Sequence, residues 1–248
     1  MALQNKYDGG IVNPRQLALL DQLANSADAD SCFECIAVYA QELGFEYCTH
    51  GMRMPLPITR PRTSMYSNYP AAWLARYQER GYIDIDPTVA HGMRSSAPAI
   101  WNDAFFAAVP AFWEEAKSYG LNYGWAQSRR DPEGTYSLLV LARSQGELSE
   151  SELYRLTPFM QWLVHAAHEA MKSAGGAEFT WSTDVRLTDR EIDVLRWTAE
   201  GKTSAEIANI LDIAERTVNF HINSAVAKLG ACNRTSAAVR AAMLGLLW

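Results

Sequence analysis

Apolar positions recur at intervals of three and four over much of the chain, the spacing that lines one face of a helix. Residues 16–27 predict a first helix. A second, opened by Ser31 and stopped by Gly44, carries Phe33, Ile36, Ala37, Ala40 and Leu43 on its apolar face. Ahead of them, residues 1–15 hold Gly9, Gly10 and Pro14 without any period and predict a mobile lead. The pattern then changes to alternation over residues 45–52 and 63–67, two strands separated by a loop containing Pro55, Pro57 and Pro61. Short helices follow Pro70 and Pro87, and another covers 111–119. Strands at 123–130 and 135–143 flank D-P-E-G, a hairpin turn signal, before a long amphipathic helix over 149–172 with Ser149 and Glu152 at capping-box spacing. Antiparallel strands with helices on both sides predict an α+β chain whose N-terminal part is a three-layer α-β-α sandwich with a mostly antiparallel sheet.

Residues 173–184 lose the period and concentrate small polar side chains, which marks a linker. Beyond it the helical spacing returns. Thr188 or Asp189 opens a helix with Ile192, Leu195 and Ala199 inward and Gly201 at its end. Thr203 or Ser204 opens a second, burying Ile207, Ala208 and Leu211. After a tight connection at 212–214, a third helix to about Leu229 buries Val218, Ile222, Ala225 and Leu229. Its opposite face carries Arg216, Phe220, Asn223 and Ala227, flanked by Thr217 and Asn219. Two short helices, a tight turn and a polar outer face fit a helix-turn-helix, and equally a small bundle with a solvated face.

A chain of 248 residues, 48% hydrophobic and 20% charged, has room for a substantial core in each of two domains, taken as 1–172 and 185–248. No apolar run is long enough to cross a membrane, and the N-terminus lacks a signal-peptide pattern. Four scattered cysteines make no disulfide framework, so a cytoplasmic setting is expected. Net charge is −6, yet from Asp184 onward eight basic residues meet eight acidic ones. A neutral C-terminal module offers few phosphate contacts, which argues for two copies acting together.

Aromatic residues crowd between Tyr66 and Trp125, with Asp86 set among them just ahead of Pro87. Rigid indole and phenol donors around one carboxylate suit a small amphiphilic ligand bearing an N–H. The same residues also suit a plain aromatic core in which Asp86 caps the next helix. Cys32 and Cys35 in one helix turn, without a second pair, read as buried thiols. His165 and His168 lack carboxylate company, and His221 lies by the buried stripe, so no metal is expected. No G-x-S-x-G elbow or metal cluster points to an enzyme. An acidic cluster after the first strand, which a phosphorylated receiver needs, is also missing.

E-I-D-V-L-R-W-T-A-E-G-K-T, E-R-T-V-N-F-H-I and K-L-G-A-C-N-R resemble the DNA-binding domain of LuxR-type transcription regulators. Y-P-x-x-W-x-x-x-Y, D-P and a following Trp resemble the autoinducer-binding domain of the same family. The resemblance implies a C-terminal four-helix, all-α helix-turn-helix domain. It implies N-acyl homoserine lactone as the signal ligand with no cofactor, and a homodimer on a palindromic site in double-stranded DNA. By that resemblance Trp73 donates to the lactone carbonyl, Tyr69 holds the acyl carbonyl and Asp86 accepts the ligand amide N–H. Tyr77, Trp101 and Phe112 pack on the lactone, Pro87 follows Asp86, and Thr49 and Met65 line the acyl side. Many relatives have Ser or Thr at a second-hairpin-strand position that reads here as Val140. That departure leaves room for a regulator answering a different small molecule, or none. On the DNA side Asn219, Phe220 and Asn223 lie near base edges, while Lys202, Arg216 and Thr217 hold phosphates.

Overall fold

The computed structural model describes residues 13–175 and 185–248, so the expected lead before residue 13 and the linker over 176–184 lie outside the described residues. The chain divides into two compact units. One comprises residues 13–52, 63–129 and 137–175; the other comprises 53–62, 130–136 and 185–248.

The first unit begins with α1 (Pro14–Ala24) and α2 (Ala29–Glu42). Both start earlier than their apolar period alone indicates, because polar caps upstream win. Asn13 accepts from the Arg15 amide and its own N–H is taken by the Gln16 side chain, so Pro14 becomes the first helical residue. Asp28, not Ser31, caps α2. It accepts from the Ser31 amide at 2.8 Å, and Ser31 Oγ returns to the Asp28 N–H at 3.1 Å. Cys32 is fully buried in α2 and Cys35 half-buried. Burial pushes the Cys32 thiol up to about 11, which leaves it protonated and inert.

Strands β1 (Tyr47–Arg53), β2 (Thr63–Ser67), β3 (Ala99–Ile100), β4 (Tyr123–Arg130) and β5 (Tyr136–Arg143) form one antiparallel sheet in the order β2-β1-β5-β4-β3. The two-residue β3 was not expected from the sequence, being too short to show alternation. Trp101 then continues its pairing through an N–H bond to the Gly124 carbonyl at 2.8 Å. Helices α3 (Ala71–Glu79), α4 (Pro87–Arg94) and α5 (Pro110–Ser118) come from the crossovers between β2 and β4. Against α1 and α2 packs α6 (Glu150–Ala174), which runs past residue 172, so the expected start of the linker falls inside a helix. Ser149 caps α6, but the reciprocal half of its capping box is not made. The Glu152 carboxylate instead takes two bonds from Arg143, at 2.7 and 2.8 Å, a stronger partner than a backbone N–H.

In the second unit α7 (Asp189–Ala199), α8 (Ser204–Leu211), α9 (Glu215–Lys228) and α10 (Arg234–Met243) follow in close order. Thr188 and Thr203 cap α7 and α8, each in a complete capping box with Glu191 or Glu206. Val194, Ile207, Ala208, Val218 and Ile222 lock α8 between α7 and α9, while Leu195, Ala225, Leu229, Ala237, Ala238 and Ala241 seat α10. The alanines let the helix axes approach closely. The α7 stripe differs from the expected one: Glu191, Val194 and Leu195 are buried, Ile192 is half-buried and Ala199 exposed. Packing α8 on one side and α9 with α10 on the other turns the helix so that a carboxylate faces inward.

Candidate functional site

In the first unit two of the expected site residues, Tyr77 and Phe112, pack on a third, Trp73, which α3 buries to 2% exposure. Its ring lies 5.8 Å from Tyr77, 5.9 Å from Tyr82, 5.8 Å from Phe112 and 5.4 Å from Tyr119. Phe112 carries the cluster on to Phe106, which stacks on Trp113 at 4.3 Å and meets Trp101 edge-on at 5.7 Å. Trp101 is buried, and its indole N–H has no hydrogen-bond partner among the described residues. Its ring can lie flat on β4 only because residue 124 is glycine: a Cβ there would sit 2.3 Å from the ring.

One carboxylate enters this aromatic wall. Asp86 caps α4, accepting from the Thr88 N–H at 2.7 Å through Oδ1, with Pro87 as the first helical residue. Its other oxygen accepts from the Tyr77 hydroxyl at 3.0 Å. Burial raises the Asp86 carboxyl above its ordinary value, and the Thr88 and Tyr77 bonds work against that rise. Burial, followed by the Asp86 charge, pushes Tyr77 up, so its hydroxyl stays a donor. The two roles the sequence left open for Asp86 are therefore compatible. A carboxylate oxygen has two lone pairs, so each one used here keeps a site for another donor.

Around the cluster, Thr49 is buried on β1 and shares a 2.7 Å hydroxyl bond with Ser67, which also accepts from the Tyr69 N–H at 3.2 Å. The Tyr69 ring meets Tyr47 edge-on, and burial holds its hydroxyl protonated. Val140 is buried on β5. Met65 does not join them: it is 54% exposed, because β2 is an edge strand and alternate side chains face solvent. Sequence reasoning singled out neither Ser67, Thr88 nor Gly124. The only signal for Gly124 was a glycine inside a strand pattern.

A second polar group lies under the sheet. His168 of α6 and Ser137 of β5 are 2.7 Å apart and fully buried. His50 of β1, also buried, has neither ring nitrogen bonded among the described residues; burial and then His168 press it down to about 3, so it is neutral. A cleft of about 390 Å³ between α1, α2 and α6, lined by Tyr39, Glu42 and Phe159 among others, shares no residue with the aromatic cluster. Among the described residues no group of His, Cys, Asp and Glu is placed to hold a metal ion, and no helix is long and apolar enough to cross a membrane.

In the second unit α9 shows the expected outer face. Arg216, Asn219, Phe220 and Asn223 are exposed, Phe220 to 67%, and Thr217 is half-buried at the edge. Lys202 stands at the start of α8, 3.9 Å from Glu206. His221 is half-buried and meets Phe220 edge-on at 5.5 Å. Behind this face Glu191 is 3% exposed and accepts from Ser224 and Lys228 of α9, each at 2.7 Å, and from the Thr188 N–H. Those bonds offset the burial penalty and hold its carboxyl at about 2.

Residues 28–171 match the family described as autoinducer binding domain, and residues 185–241 match bacterial regulatory proteins of the luxR family. The transcriptional activator protein AnoR of Acinetobacter nosocomialis is 50% identical over 88% of this chain and 92% of its own length. The quorum-sensing regulator RhlR of Pseudomonas aeruginosa is 37% identical over 89% of this chain and 91% of its own. Among solved structures, SdiA of Escherichia coli superimposes with a TM-score of 0.76 at 35% identity, covering 94% of this chain and 98% of that one. With its aromatic domain followed by a helix-turn-helix, this chain belongs to the LuxR family of quorum-sensing transcription regulators.

Proposed function

We propose that the Trp73 cluster is the signal site and that its ligand is an N-acyl homoserine lactone. The observation that carries this reading is Asp86, a carboxylate fixed by Tyr77 and Thr88 at the edge of an aromatic wall. An acceptor so placed takes a ligand donor, and the acyl amide N–H supplies one. Trp73 then donates to the lactone carbonyl and Tyr69 to the acyl carbonyl. Tyr77, Trp101 and Phe112 pack on the ring, with Thr49 and Val140 beside the chain. The first unit reads the signal, and residues 185–248 read DNA as a homodimer on a palindromic site. There Asn219, Phe220 and Asn223 face base edges, and Lys202, Arg216 and Thr217 face phosphates. This reading assigns the protein no catalytic step.

Thermal unfolding of the purified protein with lactones of increasing acyl length tests the proposal. A rise in Tm with a clear optimum length is expected. No rise at any length would refute it. A second reading has one specific support: SdiA is known in complex with octanoyl-rac-glycerol. An acyl glycerol lacks the amide N–H that Asp86 would read. A larger Tm rise with it than with the lactones would favour that ligand class.

A further inference from the structure

Asn219 is exposed on α9, yet its side chain is not free to turn. The hydroxyl of Ser204, the first residue of α8, donates to Asn219 Oδ1 at 2.8 Å. The same hydroxyl is held from behind. Arg234, the first residue of α10, donates to Ser204 Oγ at 3.3 Å, to the Lys202 carbonyl at 2.8 Å and to Thr198 Oγ1 at 3.3 Å. A guanidinium can only donate, so Ser204 accepts from Arg234 while its single hydrogen goes to Asn219 Oδ1, an oxygen that can only accept. A donating hydroxyl meets the carboxamide oxygen and not the nitrogen. The amide is thereby oriented, with Oδ1 turned back to α8 and both Nδ2 hydrogens facing away from it.

We propose that Asn219 reads the major groove as a donor only, held so by the Arg234–Ser204 relay, and that it selects guanine and rejects cytosine. The proposal rests on α9 being the recognition helix. Asparagine reads adenine when its oxygen and nitrogen reach the base edge together, one accepting from N6 and the other donating to N7. With Oδ1 directed at α8 that pairing is lost. Two outward N–H groups find two acceptors on guanine, O6 and N7. Adenine and thymine offer one each, and cytosine presents only a donor.

The test is selection of duplexes from a random library by the full-length protein loaded with N-octanoyl homoserine lactone. Wild type would be compared with Asn219→Ala, Asn219→Asp, Ser204→Ala and Ser204→Thr. Wild type should fix guanine at one position in each half-site, and Asn219→Ala should lose that preference by about tenfold. Asn219→Asp, which turns an acceptor outward, should shift it toward cytosine. Ser204→Ala frees the amide and should raise adenine to parity with guanine, while Ser204→Thr keeps the hydroxyl and the guanine. Asn219 is exposed, so its two variants read the outcome even where Ser204→Ala folds poorly. Adenine at the Asn219-dependent position would overturn the proposal, as would an unchanged sequence with Asn219→Ala. Failure of wild type to enrich any sequence is a separate result, and would remove the DNA-reading role of α9 itself.

Discussion

At the scale of single residues, Asp86 can accept from three donors on its two oxygens: the Thr88 amide, the Tyr77 hydroxyl and the proposed ligand N–H. Replacing it with Asn keeps the shape and removes the charge. Charge-assisted bonds contribute about 1.5–3 kcal/mol net, so Asp86→Asn should weaken lactone binding by roughly 10- to 150-fold in titration calorimetry. The α4 cap survives in part, because Asn is also a good N-cap, and the unliganded Tm should move little. Gly124 acts through shape instead. A Cβ placed 2.3 Å from the Trp101 ring forces that ring off β4. Gly124→Ala should lower stability by about 1–3 kcal/mol and shift the tryptophan fluorescence. His50 is the residue that sets an acid limit. Its folded value near 3 lies well below the ordinary 6.5, so its contribution is complete above pH 6.5 and is lost as pH falls toward 3. The loss should approach about 1.4 kcal/mol per pH unit, and His50→Leu should flatten that slope in unfolding titrations between pH 6 and 4.

Among the helices, the tie between α7 and α9 is electrostatic as well as apolar. Glu191 joins the Thr188 cap to Ser224 and Lys228, which sets the rotation of α9 and therefore what its outer face presents. Its folded value near 2 lies below the ordinary 4.5. The stabilisation is present above pH 4.5 and disappears as pH falls toward 2. Glu191→Gln should cost about 2–3 kcal/mol at neutral pH and progressively less below pH 4, read from amide exchange of α9. Sequence pattern located these helices well, because Thr188 and Thr203 start capping boxes whose partners lie three residues on. It was less reliable at α2, where Ser31 reads as the start but hydrogen bonding gives the cap to Asp28, three residues upstream. Trp73, Tyr77, Asp86 and Phe112 were legible as a group through their density and type. The Ser204–Asn219 and Glu191–Lys228 links were not, since each joins residues far apart in sequence through a packing angle that no periodicity encodes.

For the whole molecule the governing quantity is how few cations one DNA-binding unit can spare. Eight basic residues follow Asp184, but Lys228 is bonded to Glu191, Arg234 to the Lys202 carbonyl, Arg240 to the Leu229 and Gly230 carbonyls, and Arg196 to the Leu247 carbonyl. Arg216 is the one cation on the outer face of α9. About three phosphate contacts per copy give a salt slope of about −2.7, and two copies on one site give about −5.4. Between 50 and 200 mM salt, affinity should therefore fall by roughly 40-fold for one copy and about 2000-fold for a pair. On the proposed reading a single copy binds weakly, and we expect promoter occupancy to depend on pairing and pairing on a signal domain folded around its ligand. Ligand-loaded protein should sediment as a dimer and show the steeper slope, and dilution below the dimer dissociation constant should bring the shallow slope back. A single salt slope, unchanged by ligand and by protein concentration, would show that ligand acts on DNA binding by some route other than pairing.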